Sequence, residues 1–126
     1  MVANRRRDTK PELAVRRLLH AHGFRFRVDH RPSASVRTRA DVVFTRVRIA
    51  IFIDGCFWHQ CPTHFVMPKS NIDYWKPKIT RNVTRDVETT GVLLDEGWTV
   101  LRYWEHTPPS EVARDIERTY RRFVAV

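Results

Sequence analysis

No apolar run in this chain approaches the roughly 20 residues needed to cross a bilayer, so a membrane-spanning protein is not expected. Cysteine is scarce: Cys56 and Cys61 are the only two, and both fall in one short cluster. A disulfide-built secreted scaffold is therefore disfavoured, and a cytosolic chain is expected. The basic stretch from Met1 to Asp8 has no apolar segment behind it and does not read as a secretory signal. Residues 1–8 read instead as a mobile basic arm. Internal repeats and low-complexity tracts are missing too, so the 126 residues are expected to form one domain with an ordinary core. Acidic residues are few, 14 Asp and Glu against 23 Lys and Arg, leaving a net charge of +9. That excess points to a polyanionic partner, most simply nucleic acid. A membrane surface fits less well, because no basic amphipathic helix stands out.

What is present divides into regular elements. Thr9-Lys10-Pro11-Glu12 reads as a helix start with a capping box. Ala14, Val15, Leu18 and Leu19 form the apolar face of that helix, with Arg16, Arg17 and His20 facing elsewhere, and Gly23 ends it. Phe24 to Val28 alternates as a half-buried strand should, and residues 29–39 read as a loop. Two apolar runs, Ala40–Phe44 and Arg48–Ile53, lie close enough to form an antiparallel hairpin. A long helix is expected from about Asn71 or Asp73 to Glu96, with Ile79, Val83, Val87 and Leu94 as its buried stripe and Gly97 as its stop. Trp98 to Trp104 reads as a strand, and Ser110 as the cap of a last helix burying Val112, Ile116, Tyr120 and Phe123. This order implies an α/β fold, a mixed sheet flanked by helices.

The chemistry concentrates in residues 53–64, Ile-Asp-Gly-Cys-Phe-Trp-His-Gln-Cys-Pro-Thr-His. Cys56, Cys61 and His64 are close enough to share one tetrahedral zinc, with His106 or His59 as the fourth ligand. A local disulfide or two free thiols are the alternatives. If His106 completes the zinc site, His59 is left for acid–base work near pH 7. Asp41 sits inside an apolar strand, where a carboxylate needs a partner: Arg37, Arg39 or a hard cation such as Mg²⁺. Hairpin pairing brings Asp41 towards Asp54, and Glu12 can join them from the first helix, making an acidic pocket in a basic protein. A metal in a positive groove suits phosphodiester cleavage. Phe57, Trp58 and Trp75 offer rings that can stack on bases or wedge between them. Lys78, Arg81, Asn82, Arg85 and Asp86 recur at helical spacing, the pattern of a solvated or a DNA-facing surface.

Ala40-Asp41-Val42-Val43, Gly55-Cys56-Phe57-Trp58-His59, Tyr74-Trp75 with Lys78 and Asn82, Arg85-Asp86, Gly97-Trp98-Thr99-Val100 and Trp104-Glu105-His106 follow one another in order. In this the chain resembles the very short patch repair (Vsr) endonucleases, a branch of the restriction-endonuclease-like superfamily, over about residues 8–106. The resemblance implies a Mg²⁺-dependent enzyme that nicks one strand of double-stranded DNA at a T:G mismatch left by deamination of 5-methylcytosine. Asp41 then matches the metal-binding aspartate, Ile53 the position whose main-chain carbonyl helps bind the metal, and His59 the catalytic histidine. Asp86 and Glu12 match supporting acids, and Phe57, Trp58 and Trp75 the wedging aromatics. Lys78, Asn82 and Arg85 fall among the DNA-contacting positions. Cys56, Cys61, His64 and His106 match the structural Zn²⁺ positions, with His106 in place of a cysteine. Asp54 stands where the best-known members carry a second active-site histidine, which makes it an additional metal-ligand and catalytic candidate. The implied setting is the bacterial cytoplasm at the nucleoid, with the enzyme a monomer aided by mismatch-repair accessory proteins. Two other readings remain: a restriction-type or modification-dependent endonuclease without T:G specificity, and a non-catalytic zinc-stabilised DNA-binding module.

Overall fold

The computed structural model describes residues 10–55 and 72–124. Helix α1 (Lys10–Ala21) is followed by strands β1 (Arg27–His30), β2 (Ala40–Phe44) and β3 (Ile49–Asp54). Helix α2 (Ile72–Asp95), strand β4 (Thr99–Trp104) and helix α3 (Pro109–Val124) complete the order. The strands form one sheet in the order β1-β2-β3-β4. The β1–β2 and β2–β3 pairs are antiparallel, while β3 and β4 are parallel. Parallel neighbours need a long crossover, and α2 belongs to the segment that supplies it. The expected hairpin and mixed sheet are both present.

Strand β3 shows how the layers arise. Its side chains alternate between the two sheet faces. Ile49 and Ile51 join Val15, Leu19, Val42, Phe44, Val112 and Ile116 under α1 and α3. Ala50 and Phe52 join Val36, Val43 and Leu93 on the α2 side. Both faces of β3 are covered, which explains why its sequence is an apolar run rather than an alternating one. Two glycines stop the helices ahead of β1 and β4. Gly23 and Gly97 each take a φ of 86°. Their N–H groups reach back to His20 and Leu94, and those of Phe24 and Trp98 to Leu19 and Leu93, in the paired bonding of a Schellman motif.

Several details differ from the sequence reading. Phe24 and Phe26 are inward-facing as expected, but they pack edge-on against Phe44 before the ladder begins. The paired strand is Arg27–His30, so it runs into the expected loop, with Asp29 at a φ of 47°. Arg16 does not face away: it is buried, four residues from Glu12 and paired with it. Ser110 does not cap α3, because the helix begins at Pro109, whose missing N–H suits the first helical position. Phe123, expected on the buried face of that helix, is 47% exposed, because it falls in the last turn beyond the edge of the sheet-covering core. Most consequentially, the buried stripe of α2 runs through Ile79, Thr89 and Leu93. Val87 and Leu94 are 69% and 56% exposed. The sheet-facing line includes a threonine, so an apolar count alone misplaced it. Thr9, the expected cap of α1, lies outside the described residues.

The corrected face gives a direct contrast. Leu93→Ala is expected to destabilise the fold by about 3 kcal/mol, the usual result of emptying a fully buried leucine site. Its neighbour Leu94→Ala is expected to stay within about 0.5 kcal/mol of wild type. Chemical denaturation of the two variants checks the face; equal losses would place the stripe where the sequence pattern put it.

Candidate active site

Antiparallel pairing sets the start of β2 beside the end of β3. Asp41, second in β2, therefore reaches the last residues of β3, and its Oδ2 accepts the Ile53 N–H at 2.6 Å. Glu12 arrives from the first turn of α1, only 3% exposed, and shares a hydrogen bond with Asp41. It also meets the Arg16 guanidinium at 3.4 Å. Asp54 ends β3 and is buried. Three carboxylates thus come to one edge of the sheet, as the hairpin argument required.

Their charges are handled in different ways. Asp54 faces a cation that sequence reasoning did not single out, Arg102 in the middle of β4. Arg102 Nη1 donates to Asp54 Oδ1 at 3.1 Å and lies 3.2 Å from Oδ2. The same guanidinium donates through Nε to Thr90 Oγ1 at 3.0 Å and through Nη2 to the Asp86 carbonyl at 3.4 Å. Asp86 Oδ1 is 3.8 Å from Nη1. The one available signal was position: a lone cation inside the strand Thr99–Trp104 needs an anion nearby. Among the described residues no salt bridge reaches Asp41, and its carboxyl is strongly perturbed. Burial, first, and the Glu12 charge, second, push its carboxyl up to about 8, with the Glu12 hydrogen bond and the Asp54 charge adding, and the Ile53 N–H opposing. At neutral pH the metal-free site therefore favours a proton on Asp41.

Among the described residues, no group of three or more His, Cys, Asp or Glu side chains is arranged to hold a metal ion. That arrangement still suits Mg²⁺, a hard ion that takes one or two carboxylates and completes its shell with water and phosphate oxygens. Asp41 is a hard oxygen donor whose proton such an ion would displace. Asp54 would have to share its oxygens with Arg102 to take part.

The charged set on α2 divides. Lys78, Asn82 and Asp86 recur every four residues and lie along one side; Lys78 and Asn82 are half-buried, and Asp86 reaches Arg102. Arg81 and Arg85 are exposed and line a surface groove with Lys76, Pro77, Thr80, Thr84 and Glu88. Trp75 is half-buried, edge-on to Tyr74, and the Lys78 ammonium lies 4.9 Å from the Tyr74 ring centre. His106 sits exposed in the turn after β4, at the same end of the sheet as Asp54. Cys56, Phe57, Trp58, His59, Cys61 and His64 lie outside the described residues.

The Asp41 shift carries a signed consequence. A carboxyl raised from 3.8 to about 8 binds more protons folded than unfolded between those values. Stability of the metal-free protein therefore falls as pH rises through that window. Asp41→Asn removes the ionisation, and should flatten the profile and raise stability at neutral pH by about 1–2 kcal/mol. Thermal unfolding in EDTA at pH 5 and pH 8 tests this; an equal pH slope in both proteins would remove Asp41 as its source.

Comparison with known proteins places the chain in a family. A family model described as DNA mismatch endonuclease Vsr matches residues 1–64. The chain is 50% identical over 108 residues to Type II nicking enzyme V.NaeI of Lentzea aerocolonigenes, covering 84% of this chain and 65% of that protein. It is 41% identical over 102 residues to Type II nicking enzyme V.XorIIP of Xanthomonas oryzae pv. oryzae, covering 80% and 73%. It is also 39% identical over 100 residues to DNA mismatch endonuclease Vsr of Escherichia coli, covering 79% and 62%. The chain thus spans just under two thirds of the V.NaeI and E. coli relatives. With the family model covering half of its length and a 41% identical relative covered over more than two thirds, the chain belongs to the Vsr family of DNA mismatch endonucleases.

Proposed function

We propose that this protein is a Mg²⁺-dependent endonuclease with a restriction-endonuclease-like core, which nicks one strand of double-stranded DNA at a T:G mismatch. The observation that carries the reading is the half-buried Asp41 carboxyl, held by the Ile53 N–H beside Glu12 and poised to exchange a proton for a cation. Asp41 and the Ile53 main-chain carbonyl would hold the ion, beside Asp54. Mg²⁺ bound there supplies a Lewis acid for the scissile phosphate.

The chain's own residues do the rest. Exposed Arg37, Arg39, Arg81 and Arg85 offer charge for the phosphate backbone and fix the duplex without reading its sequence. Phe57, Trp58 and Trp75 are the rings assigned to opening the base stack beside the mismatch. Lys78 and Asn82, on the side of α2 that also carries Asp86, are placed to meet the strand being cut. His59 moves the proton of the attacking water. Glu12 keeps Asp41 in place through their shared hydrogen bond. Cys56, Cys61, His64 and His106 would hold a structural Zn²⁺, which would tie the segment after β3 to the end of β4 and stay out of the chemistry. The site of action on this reading is the bacterial nucleoid.

Strand-resolved cleavage of labelled duplexes, matched and carrying each G mismatch, tests the reading. Mg²⁺-dependent nicking confined to the T strand of T:G is expected, with a loss of about 10²-fold or more in Asp41→Ala. Equal cutting of a matched duplex would move the protein to the restriction-type reading. Tight binding with no strand break would make it a binding module. For the zinc, elemental analysis should find about one equivalent per chain, lost in Cys61→Ser together with thermal stability. Stoichiometric zinc retained by that variant would count against the ligand set.

A further inference from the structure

The Arg102 cluster joins three elements and the proposed reaction leaves it without a role. In the parallel register Arg102 stands opposite Phe52, on the face of the sheet covered by α2. Its guanidinium lies over the Phe52 ring, 4.2 Å from the centroid. From there the side chain reaches Asp54, two residues further along the same face of β3. It also reaches Asp86 and Thr90, one helical turn apart on α2. Only 22% of the Arg102 side chain and 12% of that of Asp54 are exposed, so this pair is screened far less than a surface pair.

We propose that Arg102 is a positioning residue that reserves Asp54 as its counter-ion, away from the metal, and clamps α2 to the edge carrying Asp41. The inference rests on the reading above that Asp41 carries the divalent ion. Two arguments support it. A cation bound through Asp54 would sit within a few ångströms of a fixed guanidinium, and like charges at that separation repel strongly in a poorly hydrated site. Second, the planar fork of arginine donates to four oxygens in three directions, on Asp54, Thr90 and Asp86. A lysine ammonium keeps the charge but cannot reproduce that geometry. Asp54 is then a fixed anion that cancels a fixed cation, and Asp41 is the carboxylate left for the ion.

The test compares Asp54→Asn, Arg102→Met, Arg102→Lys and the Asp54→Asn/Arg102→Met double variant. Mn²⁺ binding to the DNA-free protein is followed by electron paramagnetic resonance, and nicking is followed as kcat and half-saturating Mg²⁺. Asp54→Asn loses no ligand but leaves the Arg102 charge uncompensated, so Mn²⁺ binding should weaken in that variant through charge alone. Arg102→Met should tighten Mn²⁺ binding by about tenfold, as Asp54 is released and the repelling charge removed. Its kcat should fall about 10- to 100-fold as α2 loses its tie to the edge. The double variant should return Mn²⁺ affinity to near wild type, and Arg102→Lys should hold affinity near wild type while recovering only part of kcat.

A weakening of Mn²⁺ in Asp54→Asn that the double variant does not restore would overturn the proposal by making Asp54 a ligand. So would an Arg102→Met protein with reduced stability but unchanged Mn²⁺ affinity and kcat, since Arg102 would then be structural only. Should Arg102→Met not fold, the double variant, in which both charges are gone, and Arg102→Lys decide the question by the same criteria. A wild type that binds Mn²⁺ but nicks no T:G duplex defeats the proposed substrate and leaves the Mn²⁺ comparison decisive here. A wild type that binds no Mn²⁺ at millimolar concentration defeats both.

Discussion

The hydrogen bond from the Ile53 N–H to Asp41 depends on the β2–β3 hairpin, and the site depends on it. The hairpin register places the first residues of one buried strand against the last residues of the next. A carboxylate there is removed from water by the same packing that makes the core, so its charge is expensive. Glu12 and Asp54 stand close by and add repulsion. Each acid is accommodated differently. Glu12 meets Arg16 on its own helix, Asp54 meets Arg102 on the neighbouring strand, and the Asp41 carboxyl is pushed up towards its protonated form. The result is a low-charge acidic edge that can admit a cation by releasing a proton.

The elements themselves were largely legible. Two apolar runs separated by a tight connection predicted the hairpin, because both faces of β2 and β3 are covered. Gly23 and Gly97 marked helix ends, because each adopts a φ that a side chain resists. The inner face of α2 was not legible for an equally physical reason. One of its inward positions is Thr89, whose hydroxyl pairs with Thr38, while Val87 and Leu94 face out. Apolar periodicity finds a face only when burial is met with apolar side chains, and here part of it is met with a polar contact to the loop before β2.

The acids of the site were found in the sequence and their cations were not. Asp41 stood out as a carboxylate in an apolar strand, Asp54 and Glu12 because hairpin and helix bring them towards it, and Asp86 by its spacing on the long helix and the family resemblance. Arg16 and Arg102 were hidden among 23 lysines and arginines, most of which have nothing to distinguish them. Only context separates them: Arg16 lies four residues after Glu12, and Arg102 interrupts a strand. In a basic protein the informative arginine is the one placed where solvent cannot reach, and reaching that conclusion requires knowing which strand lies against which.

On the proposed reading, the balance of charge also bears on when the metal would enter. A net charge of +9 disfavours a divalent cation near the protein. At the acidic edge the charges of Glu12 and Asp54 are already opposed by arginines, and Asp41 holds its proton near neutral pH. The bare protein thus offers a cation little net attraction. A DNA strand laid along the same edge changes both terms, because its phosphates neutralise the surrounding arginines and supply oxygens for the ion. On the proposed reading, DNA and metal bind cooperatively for electrostatic reasons alone. The ion is then held most firmly when a phosphate is present to be cut.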